Sequence, residues 1–274
     1  MRTIVVGVDQ SPSSHAVAGW AGRLAGRLGA GLVAVNAFVG PAAEITPGDW
    51  EHLVARREAT LARRWTRLAT EAGAKVTTLV REGDPRDVLA NVADDVVADL
   101  VVLGRYGEGG GPGFLHLGSV AEYAAHHWSR PLAVVPPRAG SVARMMIGVD
   151  GSAGSLAAAG WCEQVAPALG ATVVAVNVED SGREHGDARQ PDAEDRLREL
   201  TAPLVDAGVE VETIVQRDLR PADALLRVAD AIGADLLVVG LRGVGGFTGL
   251  RVGGVAVKVL HRASLPLVLV PPIH

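Results

Sequence analysis

The sequence predicts two tandem α/β domains, each a doubly wound five-stranded parallel sheet with helices on both faces. Three observations carry this. Continuous apolar runs such as TIVVGV, ending at Val8, and LVAVNAF, Leu32 to Phe38, alternate strictly with helix-compatible segments. Strands buried on both faces have that pattern. The order then restarts, because RMMIGVD ending at Asp150 repeats the run ending at Asp9, and Trp161 falls where Trp20 does, both at an offset of 141 residues. Finally, 274 residues are comfortable as two domains, each large enough to bury its own core.

In chain order, a first strand over Arg2 to Val8 ends at Asp9. The SPSS cluster supplies turn and cap residues for a helix over His15 to Leu28, which Gly29 and Gly31 end. After the strand Leu32 to Phe38, a loop with Pro41, Pro47 and Gly48 leads to one long charged helix, Asp49 to Ala72. Its Leu53, Leu61, Trp65 and Leu68 recur near helical spacing. Asp49 reads as its cap, Ser119 further on reads as the cap of a later helix if nothing binds there, and the charges from Glu51 to Arg67 read as a solvated face. Lys75 to Val80 is a strand, EGDPRD a turn and Asp87 to Ala98 a helix. Leu100 to Leu103 is the fourth strand; a glycine-rich loop, a helix over Ser119 to Trp128 and a strand over Leu132 to Val135 follow. Near the far end the repeat offset falls to 135, and the loss lies where the long charged helix stood, so Asp192 to Ala207 is a shorter helix. The polar segment Glu179 to Gln190 reads as an exposed loop. The domains are 1–138 and 143–274, and the brief linker between them leads us to expect the halves to lie against each other.

Composition excludes several classes of function. A formal net charge of −5 gives no basic stripe for nucleic acid or an acidic membrane surface. The N-terminal apolar run is too short for a signal peptide and no apolar stretch is long enough to span a bilayer, so the expected location is cytoplasmic. The single Cys162 reads as a small buried hydrophobe on a helix beside Trp161. The eight histidines are scattered, and the adjacent His126 and His127 read as surface residues, with no metal site expected.

The most informative stretch is written twice. After Asp99 the chain reads LVVLGRYGEGGGPGFLHLGS, and after Asp235 it reads LLVVGLRGVGGFTGLRVGG. In each, glycines stand at a strand-to-helix turn, where backbone N–H groups can approach an anion and the following helix adds a favourable dipole. The glycines complete neither GxxxxGK[ST] nor GxGxxG, and no GxSxG nucleophile elbow occurs. Without a ligand, the same letters read as a surface loop, and Asp9 and Asp150 read as turn residues capping the helix that follows.

With Gly104, Gly107 and Gly118 followed by Ser119, and Gly240, Gly243 and Gly253, the loops resemble the universal stress protein family, whose ATP-binding members carry G-x2-G-x9-G-[ST] at this place. GVDQS and GVDGS at the ends of the two first strands, the EGDP turn and the endings RPLAVVPP and LPLVLVPP belong to the same resemblance. Two departures stand out. Ten residues, Glu108 to Leu117, fill the first loop where the pattern has nine. The second loop keeps nine but places Gly254 at the hydroxyl position, and QRDLRP lacks the GDP turn.

The resemblance implies strand order 3-2-1-4-5 and an adenine nucleotide site in each domain. Asp9 and Asp150 would hold ribose hydroxyls, and Ala37 and Val178 would line the adenine pocket. Leu103, Gly104, Val239 and Gly240 would approach base and ribose by backbone. Gly107, Gly118, Ser119 and Val120, with Gly243, Gly253, Gly254 and Val255, would cradle phosphates. Mg²⁺ would accompany the nucleotide, and Arg105, Arg242 or Arg251 are candidates to assist. Phe247 and Leu250 are placed to pack the second loop down. The expected role is a stress or dormancy regulator working through nucleotide-dependent conformation or partners, not an enzyme, since no general base, lysine or arginine finger stands at a γ-phosphate position. The alternative is a nucleotide-free interaction module of the same fold. A nucleotidyl-transfer enzyme would want an HxGH or SGGxDS signature, which SPSS and SAGS do not provide. The apolar terminal strands Leu132 to Val135 and Leu267 to Val270 are expected to pair the two domains with each other, and a homodimer of the whole chain is a further option.

Overall fold

The computed structural model describes residues 1–40, 46–107, 117–179, 193–243 and 252–272. It divides into two compact units, Met1–Gly140 and Ser141–His274.

In the first unit, β1 (Thr3–Gly7) is followed by α1 (Pro12–Leu28), β2 (Gly31–Phe38), α2 (Pro47–Thr60), a π turn (Leu61–Trp65), α3 (Arg67–Glu71), β3 (Lys75–Glu82), α4 (Pro85–Asp95), β4 (Leu100–Gly104), α5 (Ser119–His127) and β5 (Leu132–Val135). All pairs are parallel and link β1 to β2 and β4, β2 to β3 and β4 to β5, which gives the order β3-β2-β1-β4-β5. β1 is the central strand, where Val6 stands opposite Ala34 and Val102. Its Ile4, Val5 and Val6 are sealed from solvent, as a parallel sheet covered on both faces requires.

The second unit repeats this with β6 (Arg144–Gly148), α6 (Ala153–Leu169), β7 (Thr172–Glu179), α7 (Ala193–Asp206), β8 (Val211–Arg217), α8 (Pro221–Ala231), β9 (Leu236–Gly240), α9 (Gly254–Arg262) and β10 (Leu267–Val270). Its parallel pairs run β8-β7-β6-β9-β10.

Local chemistry explains the element ends. Ser11 and Ser152 cap α1 and α6 by accepting from the N–H of Ser14 and Ser155, and Gly29 and Gly170 close the same helices in the left-handed region. The acids that open β4 and β9 have a plain structural task. Asp99 Oδ2 accepts from the N–H groups of Arg2 and Thr3, and Asp235 Oδ2 from those of Ala143 and Arg144. Each fastens the start of the central strand, at the end of the sheet opposite the glycine loop. Trp20 and Trp161 are buried, and burial pushes the Cys162 thiol well above its ordinary value, which suits a packing role.

The structure corrects three readings. The long charged helix is not continuous: the Thr66 hydroxyl donates to the carbonyls of Leu61 and Ala62 and its N–H to Leu61, which opens a π turn and starts α3 afresh. Leu61, Trp65 and Ala69 are buried across that break, whereas Leu68 faces solvent. Thr46, not Asp49, caps α2, with its Oγ1 accepting from the Asp49 N–H. Gly118, not Ser119, is the cap of α5. The expected loop at Glu179 to Gln190 lies outside the described residues except Glu179, which ends β7.

Candidate functional site

In each unit the residues singled out by the glycine pattern converge at the carboxyl ends of the central strands. Asp9 follows β1. Its Oδ1 accepts from the Ser11 N–H at 2.9 Å, the Ser11 hydroxyl at 2.5 Å and the Ser14 hydroxyl, and its own N–H donates to Ser14 Oγ at 3.0 Å. This is the Asx turn expected of a capping aspartate, and it fixes the carboxylate so that Oδ2 faces the glycine loop. A Cβ on Gly107 would lie 2.9 Å from that Oδ2. The second unit repeats the arrangement: Asp150 Oδ1 accepts from the Ser152 N–H, and a Cβ on Gly243 would lie 2.6 Å from Asp150 Oδ2. Glycine is required at both places because the carboxylate and the loop backbone approach too closely for a side chain.

The loop then returns to the strand by one backbone bond. The Gly118 N–H donates to Arg105 O at 2.9 Å, and the Gly253 N–H donates to Leu241 O at 2.7 Å, the corresponding position. Gly118 and Gly253 are extended N-caps without a side-chain cap bond, so the first N–H groups of α5 and α9, from Ser119, Val120, Gly254 and Val255, stand at the loop. The extra residue of the first loop therefore leaves both anchor points in register, and it falls within residues 108–116, outside the described residues. Ser119 and Val255 are exposed and Val120 half-buried.

Leu103 and Val239 are buried at the strand ends, and Gly104 and Gly240 are half-buried beside them. Gly240 packs against the backbone of Gly154 and Ser155, and Gly154 against the Arg242 carbonyl, which also accepts from the Ser152 hydroxyl at 3.1 Å. In the first unit, Ser13 stands where Gly154 does, and its hydroxyl reaches the Tyr106 carbonyl at 3.3 Å. The second loop thus lies closer on its helix. Ala37 and Val178 are half-buried one strand away, near the ends of β2 and β7. Of the candidate arginines, the Arg105 side chain is buried with its guanidinium 5.9 Å from the Tyr106 ring, Arg242 is half-buried, and Arg251, Phe247 and Leu250 lie outside the described residues.

The missing GDP turn of the second unit has a substitute. Asp84 caps α4 by accepting from the Arg86 N–H, and Asp218 Oδ1 accepts from the Arg220 N–H, each at 2.8 Å. Sequence reasoning missed a further cluster. Arg57, read as part of a solvated face, turns inward to Asn36, Gln10 and Phe38, and only the burial of Asn36 on β2 hints at it.

Two concavities of about 430 and 440 Å³ lie elsewhere, one lined by Gln216, Asp218 and Arg227, the other by Asp94, Trp128 and Arg130. Neither contains a residue of the glycine pattern. Residues 108–116 and 244–251 lie outside the described residues. Among the described residues no helix is long and apolar enough to cross a membrane, and no group of three or more acidic, histidine or cysteine side chains is placed to hold a metal.

Comparison with known proteins agrees with the repeat. The model of the universal stress protein family matches residues 1–136 and 142–271. A universal stress protein of Mycobacterium tuberculosis is 31% identical over 306 residues, covering 97% of this chain and 94% of its own. A second from that organism is 30% identical over 289 residues, with 97% and 96% covered. The crystal structure of a universal stress protein from Archaeoglobus fulgidus shares the fold over 99% of this chain and 98% of its own, with a TM-score of 0.75 and 19% identity. The chain belongs to the universal stress protein family, as a member with two tandem domains.

Proposed function

We propose that the protein binds ATP at the carboxyl ends of its central strands and acts as a stress or dormancy regulator through nucleotide-dependent conformation or partner binding. The observation that supports this most is the constellation of Asp9, Gly107 and Gly118: a fixed carboxylate faces a glycine loop whose far end is a helix N-terminus with no side-chain cap. A carboxylate accepts from two ribose hydroxyls, and free helix N–H groups receive phosphate oxygens. Magnesium would arrive on the triphosphate and keep most of its waters. Ser119 Oγ is the protein oxygen that fits it, since the described residues offer no cluster of carboxylates. Hydrolysis is absent or very slow in this reading, and the protein works in the cytoplasm.

Thermal unfolding with and without ATP and Mg²⁺ tests the reading. Ligand at a hundredfold excess over its dissociation constant adds about 2.7 kcal/mol of stability. An unmoved transition at millimolar ATP contradicts it. In the second unit, Gly254 in place of a hydroxyl and the Arg242 carbonyl held by Ser152 favour the other reading, a nucleotide-free module whose surfaces serve a partner.

A further inference from the structure

The two strand-end sites differ in charge beside the residues proposed to meet the sugar and base. The register between units is fixed by one shared bond: Asn36 Nδ2 donates to Val8 O at 2.7 Å, and Asn177 Nδ2 to Val149 O at 2.6 Å. In the first unit the Arg57 guanidinium from α2 completes this corner. Its Nη1 donates to Asn36 Oδ1 at 3.2 Å. Gln10 Oε1, in the amide orientation that satisfies both groups, accepts from Nη1 and Nη2 at 3.2 Å, and the Phe38 ring lies 4.4 Å from Cζ.

All three partners are neutral, and Arg57 makes no ion pair among the described residues. Its Nε is sealed from solvent without a hydrogen-bond partner among the described residues, so of its five N–H donors this one and one on Nη2 are left over there. Gln10 adjoins Asp9 in the chain, and Asn36 and Phe38 flank Ala37. In the second unit Gly151 stands at the Gln10 position and Glu179 at the Phe38 position, 141 residues on. Among the described residues no cation is bonded to Asn177 there. Glu179 carries a carboxylate with Arg217 Nε at 3.7 Å, and Arg198 of α7 is turned to Glu194 and Asp195.

A partly desolvated cation whose described partners are all neutral draws an anionic ligand. We infer that the first unit is the stronger nucleotide site, with Arg57 as the residue that supplies its positive charge. This rests on the nucleotide reading above. The helix N-termini differ in the opposite sense, since Glu122 lies in the first turn of α5 and α9 has no acid there. Glu122 is exposed and screened by solvent and salt, whereas Arg57 is half-buried with its Nε sealed, so the Arg57 difference is the larger.

Calorimetric titration of the full chain with MgATP tests this. We expect one strong site per chain. Arg57→Gln weakens it at least about tenfold, the loss of a charged hydrogen-bonding group, while Arg57→Lys keeps part of the affinity. Thermal melts of the ligand-free Arg57→Gln and Arg57→Lys proteins that match the wild type show that the lost affinity is not a folding defect. Two equal sites in the wild type, or an Arg57→Gln protein with unchanged affinity, overturns the inference and leaves the nucleotide reading standing. Absence of any binding overturns both.

Discussion

Replacing Gly107 by alanine tests whether the aspartate and the glycine loop form one unit. A methyl there would meet Asp9 Oδ2 at 2.9 Å, where ordinary contact begins near 3.4 Å, and no other described atom lies within 4 Å. Relief requires the carboxylate to turn, and turning strains the bonds that Oδ1 receives from the Ser11 N–H, the Ser11 hydroxyl and the Ser14 hydroxyl. A bond to a charged group contributes about 1.5–3 kcal/mol and overpacking costs about 1–3 kcal/mol. Because Asp9 is only half-buried, we expect Gly107→Ala to cost about 2 kcal/mol. In an Asp9→Ala background the clash has no partner, and the same change should cost less than about 0.5 kcal/mol. Urea denaturation of the wild type, both single variants and the double variant, followed by tryptophan fluorescence, measures the coupling. Costs that add within about 0.5 kcal/mol would refute the geometry.

Other consequences are equally direct. Gly22 and Gly160 both lie inside helices, yet a Cβ on Gly22 would run into Ala69, with its Cβ at 2.6 Å, and one on Gly160 would meet nothing within 4 Å among the described residues. Gly160→Ala should stabilise by about 0.5–1 kcal/mol and Gly22→Ala destabilise by about 1–3 kcal/mol in denaturant titrations. Burial, then the charges of Arg64 and Arg67, lower the proton affinity of His15 below its ordinary value of 6.5. Its contribution is therefore complete above pH 6.5 and fades as the pH falls, so unfolding midpoints from pH 8 to 5 should decline less in His15→Gln. The Arg86 hydrogen bonds hold the Asp84 carboxyl down to about 2, so its cap on α4 persists above pH 3.8 and is lost as the pH falls toward 2. A carbon NMR titration of that carboxyl reads this directly.

Elements were legible in the sequence where one force decided them. Buried parallel strands such as Val5 and Val6 are continuous apolar runs because both faces are covered, and Ser11 and Gly29 mark helix ends by local hydrogen bonding and a left-handed backbone. The glycines were legible for the same reason: only they fit beside Asp9 and Asp150. The π turn at Leu61 was not, because it depends on a Thr66 hydroxyl competing with the helix ladder in a segment whose spacing still looks helical. Arg57 was hidden for a different reason. Its neighbours along α2 are exposed charges, and only the tertiary approach of Phe38 and Asn36 distinguishes it from them.

The account turns on nucleotide binding at the Asp9 and Gly107 site. Equilibrium dialysis of the full chain against labelled ATP with Mg²⁺, repeated on Asp9→Ala, measures it. Saturable binding that Asp9→Ala weakens at least about tenfold is the predicted result, consistent with the loss of charge-assisted bonds to the ribose. No saturable binding by the wild type, or undiminished binding by Asp9→Ala, would contradict it.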